Sequence, residues 1–152
     1  MDIPAVPHTQ REAPTDPTAR RSDRSAIILV VERDPHVRDL EAFFLNEAGF
    51  AVEFAEDGPA ALALARRVVP DIVITEILVP KLDGLALCRA LKGEAATSHV
   101  RVLVFSILAA AVRAREAGAD AFLMKPLAEK RLVETVRELV NMRPDTRLAE
   151  QR

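Results

Sequence analysis

Between residues 26 and 141 the apolar positions fall into short runs that alternate between two periods. Ile27 to Val31, Asp71 to Thr75, Val100 to Phe105 and Ala121 to Met124 are near-continuous apolar stretches, the pattern of strands buried on both faces. Ala51 to Ala55 alternates Val52 and Phe54 with polar or small residues, as a half-buried strand does. The intervening stretches carry helical spacing. Pro35 to Ala48 sets Val37, Leu40, Phe43, Phe44 and Ala48 on one face, with Gly49 as a stop. Asp57, Gly58 and Pro59 open a second helix that reaches about Val68. Asp83 caps a third, whose inner side repeats Leu85, Cys88 and Leu91 before Gly93 ends it. A short Ala-rich helix runs to Ala117, and a last one from Leu127 to about Asn141 carries the stripe Leu132, Val133, Val136, Leu139 and Val140. Strictly alternating strands and helices predict an α/β domain: a single, doubly wound, five-stranded parallel sheet flanked by five helices.

The flanks read differently. Residues 1–24 hold Pro4, Pro7, Pro14 and Pro17 among Thr, Arg and Asp without apolar periodicity, so nothing there offsets the entropy of ordering, and a disordered Pro-rich arm is predicted. Residues 143–152 read as a polar tail, which leaves 25–142 as the domain. With 152 residues, 49% apolar and 29% charged, the chain suits one domain with a real core. A net charge of -2 gives no electrostatic footprint for nucleic acid. The lone Cys88, set among apolar helix positions, reads as a buried thiol and does not suggest export. No apolar run approaches a membrane span and no signal peptide opens the chain, so a cytoplasmic protein is expected.

Three of the strands end in charge. Asp71 to Thr75 runs into Glu76, Ile27 to Val31 into Glu32, Arg33, Asp34 and Pro35, and Ala121 to Met124 into Lys125 and Pro126. In open parallel sheets the carboxyl ends of the strands form the ligand edge, and a buried carboxylate there needs a partner. Glu32, Arg33, Glu76 and Lys125 therefore mark the candidate functional edge.

The same punctuation resembles the receiver domain of bacterial two-component response regulators across about residues 26 to 141. The resemblance rests on the acidic corner before Pro35, Gly49, Gly58, Pro70-Asp71, Pro80, Asp83-Gly84, Gly118-Ala119-Asp120 and Lys125-Pro126. It implies the flavodoxin-like receiver fold and a signalling role in a phosphorelay. In that family two acids after the first strand and an Asp ending the third hold Mg²⁺, the Asp takes the phosphoryl group, and a hydroxyl and a Lys bind the phosphoryl oxygens. Glu32 matches the first acid, Ser106 the hydroxyl, Lys125 the lysine and Phe122 the aromatic switch position. Arg33 stands where the second acid belongs, and Glu76 stands at the phosphoacceptor.

Those two departures change the chemistry. Glu32 and Glu76 set against Arg33 and Lys125 sum to about zero charge, so the pocket needs no cation, and Arg33 is expected to fork onto Glu76 or Glu32 while repelling Mg²⁺. Glu76 is longer than Asp by ~1.5 Å, a displacement that near-attack geometry tolerates poorly. Asp34, before Pro35, is better placed to cap the first helix than to replace the missing acid. The expectation is a pseudo-receiver: no catalytic residue, no cofactor, weak or absent Mg²⁺ binding.

Function then rests on surfaces. The resemblance implies a protein partner at the face of the fourth helix, fifth strand and fifth helix, with Phe122, Met124, Arg113, Arg115, Lys130 and Arg137 as candidates. Ile107 to Val112 is almost wholly apolar, either packing down over the pocket or meeting a partner or a second copy of the chain. The stretch from Ser106 to Lys125 is short for a receiver, so a short or displaced fourth helix is expected. A conventional receiver phosphorylated on Glu76 is the alternative. A small flavodoxin-like enzyme is disfavoured because Glu32-Arg33-Asp34-Pro35 is no phosphate cradle.

Overall fold

The computed structural model describes residues 25–126 and 128–142. The expected Pro-rich arm, the polar tail and Leu127 lie outside the described residues. Five strands and five helices alternate in the order β1 (Ile27–Val31), α1 (Pro35–Glu47), β2 (Ala51–Ala55), α2 (Gly58–Val68), β3 (Ile72–Thr75), α3 (Gly84–Gly93), β4 (Arg101–Ser106), α4 (Ala111–Glu116), β5 (Ala121–Met124) and α5 (Glu129–Val140). The strands pair in parallel in the order β2-β1-β3-β4-β5. This is the doubly wound, flavodoxin-like sheet expected from the alternation.

Alternate side chains of each central strand enter two separate cores. Leu29, Val31, Val73, Val102 and Val104 pack on one face with residues of α2, α3 and α4. Ile28, Val30, Ile72, Ile74 and Leu103 pack on the other, against Leu45 of α1 and Leu132, Val136 and Leu139 of α5. β1, β3 and β4 are covered on both faces, which is why they read as unbroken apolar runs. Each fully buried Leu or Ile contributes about 1.5–3 kcal/mol.

Helix starts follow short acids. Asp34 Oδ1 accepts from the His36 amide at 2.9 Å, Asp57 Oδ1 from Ala60 at 2.8 Å, and Asp83 Oδ1 from Leu85 and Ala86 at 2.8 and 2.9 Å. Each satisfies amides that a helix N-terminus leaves unpaired. Asp34 is thus a cap. The fourth helix is short, as expected, with six residues and no side-chain cap.

The inner face of α1 differs from the expected one. Leu40 and Phe43 are each 57% exposed, while Glu41, Ala42 and Leu45 are buried. The sheet and α5 select the stripe through Glu41 and Leu45, and the two large apolar residues are left outside it. Phe43 packs edge-on against Phe44, with ring centroids 5.3 Å apart.

Candidate functional site

The register Val31↔Thr75 and Thr75↔Val104 brings the ends of β1, β3 and β4 side by side, so the residues that follow them converge. Glu32, Glu76 and Ser106 are all buried there. Gly84 lets the start of α3 close over the end of β3: a Cβ at that position would lie 2.3 Å from the Glu76 carbonyl oxygen. The Gly84 amide donates to Ile77 O at 2.9 Å, holding the turn.

Glu76 sits inside a ring of donors. Its Oε2 accepts from the Ser106 hydroxyl and from the amides of Ile77 at 2.7 Å and Leu78 at 3.4 Å. Its Oε1 accepts from Lys125 Nζ at 3.2 Å and from the Ile107 amide at 3.3 Å. Burial pushes this carboxyl upward, yet the Ser106 hydroxyl, the Lys125 charge and the Ile77 amide together outweigh it and hold the group below its ordinary range. Glu76 is therefore ionised and fully engaged at neutral pH.

Lys125 is the hub. Its ammonium lies 2.6 Å from Glu32 Oε1, 3.2 Å from Glu76 Oε1 and 4.0 Å from Glu41 Oε2. It also stands over the Phe105 ring, 5.3 Å from the centroid. Burial favours loss of its proton, but hydrogen bonding to Glu32 and the charges of Glu32, Glu41 and Glu76 prevail and raise it above its usual value. The second oxygen of Glu32 accepts from the Asp34 amide at 3.1 Å.

Arg33 does not join this cluster. Its side chain is exposed and makes no ion pair among the described residues, so the expected fork onto Glu76 or Glu32 is corrected: Lys125 already occupies both carboxylates. The zero charge sum falls with it. In place of Arg33 the pocket contains Glu41, which the sequence reading missed. With three acids around one Lys, burial, opposed by Lys125 and reinforced by the charges of Glu32 and Glu76, pushes the Glu41 carboxyl up to about 8. The signal available in the sequence was an acid at helical spacing from Leu45, on the same stripe as Ala42.

A divalent cation of the kind the resemblance implies takes free carboxylate and carbonyl oxygens. Both oxygens of Glu32 and of Glu76 already accept from the protein's own donors, and among the described residues no three His, Cys, Asp or Glu side chains are grouped so as to hold a metal. Both carboxylates are thus held by the protein's own donors, Lys125 foremost.

The candidate partner face is partly assembled. Met124 is 45% exposed and Arg113 and Lys130 are exposed, whereas Phe122 is half-buried against the α2–α3–α4 core. The apolar run after Ser106 splits: Leu108 packs on the same core and Ala110 is buried, while Ile107 and Val112 face outward at 58% and 62% exposure. No helix among the described residues is long and apolar enough to cross a membrane.

Residues 28–137 match the family model of the response regulator receiver domain. The chain is 38% identical over 123 residues to the response regulator PleD of Caulobacter vibrioides, covering 78% of this chain and 27% of that protein. It is 31% identical to the DNA-binding response regulator MtrA of Mycolicibacterium smegmatis, covering 78% and 52%. The chain thus spans about a quarter to a half of the length of these relatives. Among solved structures, a signal receiver domain of a histidine kinase from Syntrophus aciditrophicus is 34% identical with a TM-score of 0.72, covering 76% of this chain and 90% of that one. A response regulator receiver domain protein from Clostridium thermocellum is 27% identical with a TM-score of 0.70, covering 76% and 94%.

Proposed function

The chain belongs to the response regulator receiver domain family, and from that premise we propose that it is a pseudo-receiver, signalling through protein contacts without Mg²⁺ and without being phosphorylated. The observation that carries this reading is the donor ring around Glu76. Ser106, Lys125 and the Ile107 amide hold its carboxylate, and the hydroxyl and the Lys are the groups that bind phosphoryl oxygens elsewhere in the family. The longer side chain puts an anion permanently in their reach. The hydroxyl and the ammonium that would receive an incoming phosphoryl group are engaged by Glu76 instead, and the same contacts occupy its carboxylate against the cation that phosphoryl transfer uses to neutralise charge.

Glu76 on this reading acts as a built-in counterpart of the phosphorylated residue, drawing in Ser106 and the segment after it and so setting the face of α4, β5 and α5. Phe122, Met124, Arg113 and Lys130 are the residues offered there to a signalling protein, in the cytoplasm. The module turns over no substrate.

The test is a phosphodonor challenge. Acetyl phosphate or beryllofluoride with Mg²⁺ is expected to leave the amide NMR spectrum of the protein unchanged, while the Arg33→Asp, Glu76→Asp double variant acquires a saturable Mg²⁺-dependent response. A saturable response in the unaltered protein would overturn the reading in favour of phosphorylation on Glu76.

A further inference from the structure

The outward face of α1 keeps two large apolar side chains in water. Leu40 and Phe43 are each 57% exposed, on the side of the helix opposite Leu45, which is wholly buried. They stand three residues apart and so adjoin on one face, where burial would be favourable by about 25 cal/mol per Å².

Their spacing extends into a seam. His36, Leu40, Phe43 and Glu47 are all exposed and follow one another at intervals of four, three and four residues, the stripe by which two helices pack along their length. The seam is symmetrical about its centre. In an antiparallel pair of identical helices, residue 36 falls opposite residue 47 of the second copy, and residue 40 opposite residue 43. Each apolar side chain thus meets an apolar one, and each polar end meets its complement. The flanks agree, since Asp39 falls beside Asn46 on one side and Val37 beside Phe44 on the other, with no like charges facing.

Charge placement along α1 selects a second copy as the occupant. A helix favours acids in its first turn and bases in its last, and α1 has neither. It carries the reverse order, with His36 in the first turn and Glu47 as its last residue, neither in an ion pair among the described residues. Antiparallel docking sets Glu47 beside the amino end of the second helix and His36 beside its carboxyl end. Both groups then gain from the other copy what their own helix denies them.

We propose that α1 joins two copies of this chain into a weak two-fold dimer, Leu40 of each packing on Phe43 of the other and His36 of each meeting Glu47 of the other. A helix of this length spans only about 20 Å, so the seam falls short of the roughly 1,000 Å² of a stable interface, and a dissociation constant on the order of 100 µM is expected. α4 packs on the opposite side of the sheet from α1, so the dimer leaves α4 uncovered in both copies. Two signalling faces are then presented together, and a partner with two matching sites gains avidity. That gain rests on the function proposed above; the dimer does not.

Sedimentation equilibrium of the full chain from about 10 µM to about 1 mM tests it. The unaltered protein is expected to pass from monomer to dimer across that range. Leu40→Ser with Phe43→Ser should stay monomeric while keeping its far-ultraviolet circular dichroism, because neither side chain belongs to the core. Glu47→Lys is expected to weaken the dimer roughly fivefold, and adding His36→Glu should restore it within about twofold, since the exchanged charges still meet across an antiparallel seam. A parallel pair would bring like charges together in that double variant and would not be restored. A monomer at the highest concentration, a dimer that survives Leu40→Ser with Phe43→Ser, or an exchange that restores nothing would overturn the proposal. So would loss of the dimer in Ile107→Asp, which would move the contact to the edge beside the pocket.

Discussion

Ser106, at the end of β4, donates its hydroxyl to Oε2 of Glu76, at the end of the neighbouring β3. Parallel pairing of the two strands sets their ends in line, and the extra methylene of Glu carries the carboxylate across to the hydroxyl. The same carboxylate meets Lys125 through its other oxygen. One side chain thereby ties the ends of three strands together.

Ser106→Ala removes one donor from an ionised, buried carboxylate. A hydrogen bond to a charged group contributes about 1.5–3 kcal/mol, and that loss is expected in urea unfolding at neutral pH. The sign with pH follows from Glu76, whose carboxyl is held below its ordinary range despite burial. Its contribution is complete above the ordinary carboxylate range and is lost as pH falls through the depressed value. The Ser106→Ala penalty should therefore shrink on the acid side; a penalty that stays constant down to acid unfolding would mean that the bond does not depend on the charge.

Glu41 titrates in the opposite sense. Burial, the leading influence, raises its carboxyl from 4.5 to about 8. The folded protein therefore holds a proton that the unfolded chain has released, and stability falls as pH rises between those values, by an amount on the order of a few kcal/mol. Above that window the loss is complete and the curve flattens. Glu41→Gln should remove the slope between pH 5 and 8, as measured by urea midpoints at several pH values. An unchanged slope would move its origin to another group.

The strand and helix order was legible because each element carries its own signal: apolar runs for β1, β3 and β4, and short acids at Asp34, Asp57 and Asp83 where helices begin. Glu32, Glu76, Ser106 and Lys125 were legible as a group because parallel strands deliver their carboxyl ends to one edge. The partner of Glu76 was not. Arg33 and Lys125 carry the same charge, and only the path of the chain after β1 decides that Arg33 turns to solvent. Glu41 was hidden by its own helix, where Leu40 and Phe43 supply a more apolar face than the stripe the sheet selects.

Arg33→Ala tests that correction directly. An exposed side chain without an ion pair among the described residues contributes little, so the change in stability is expected within about 0.5 kcal/mol. A loss of about 2 kcal/mol or more would restore Arg33 to the cluster.

The apolar run after Ser106 separates into a packing residue and a surface residue. Leu108 packs on the core while Ile107 is 58% exposed, so Leu108→Asp should destabilise the fold by about 2 kcal/mol or more, and Ile107→Asp should leave stability within about 0.5 kcal/mol. Sedimentation of Ile107→Asp, rather than of Leu108→Asp, therefore reports whether this edge joins two copies of the chain. Loss of a concentration-dependent dimer in that variant would place the contact at Ile107.

Lys125 carries the largest single penalty. Its ammonium is the only cation within 4.0 Å of Glu32, Glu41 and Glu76 among the described residues. Lys125→Met keeps the length and apolar stem but leaves buried carboxylates unpaired, at a cost of about 3–5 kcal/mol. Because the lost partner is a cation whose charge lowers the carboxyls of Glu41 and Glu76, those two acids should take up a proton more readily, and the variant should recover stability as pH falls from 8 to 5, more steeply than the unaltered protein does. Adding Glu32→Gln removes the carboxylate nearest the ammonium and should return part of the loss at pH 8, measured by urea unfolding. If the double variant is no more stable than Lys125→Met alone, the damage lies in packing against Phe105 rather than in unpaired charge.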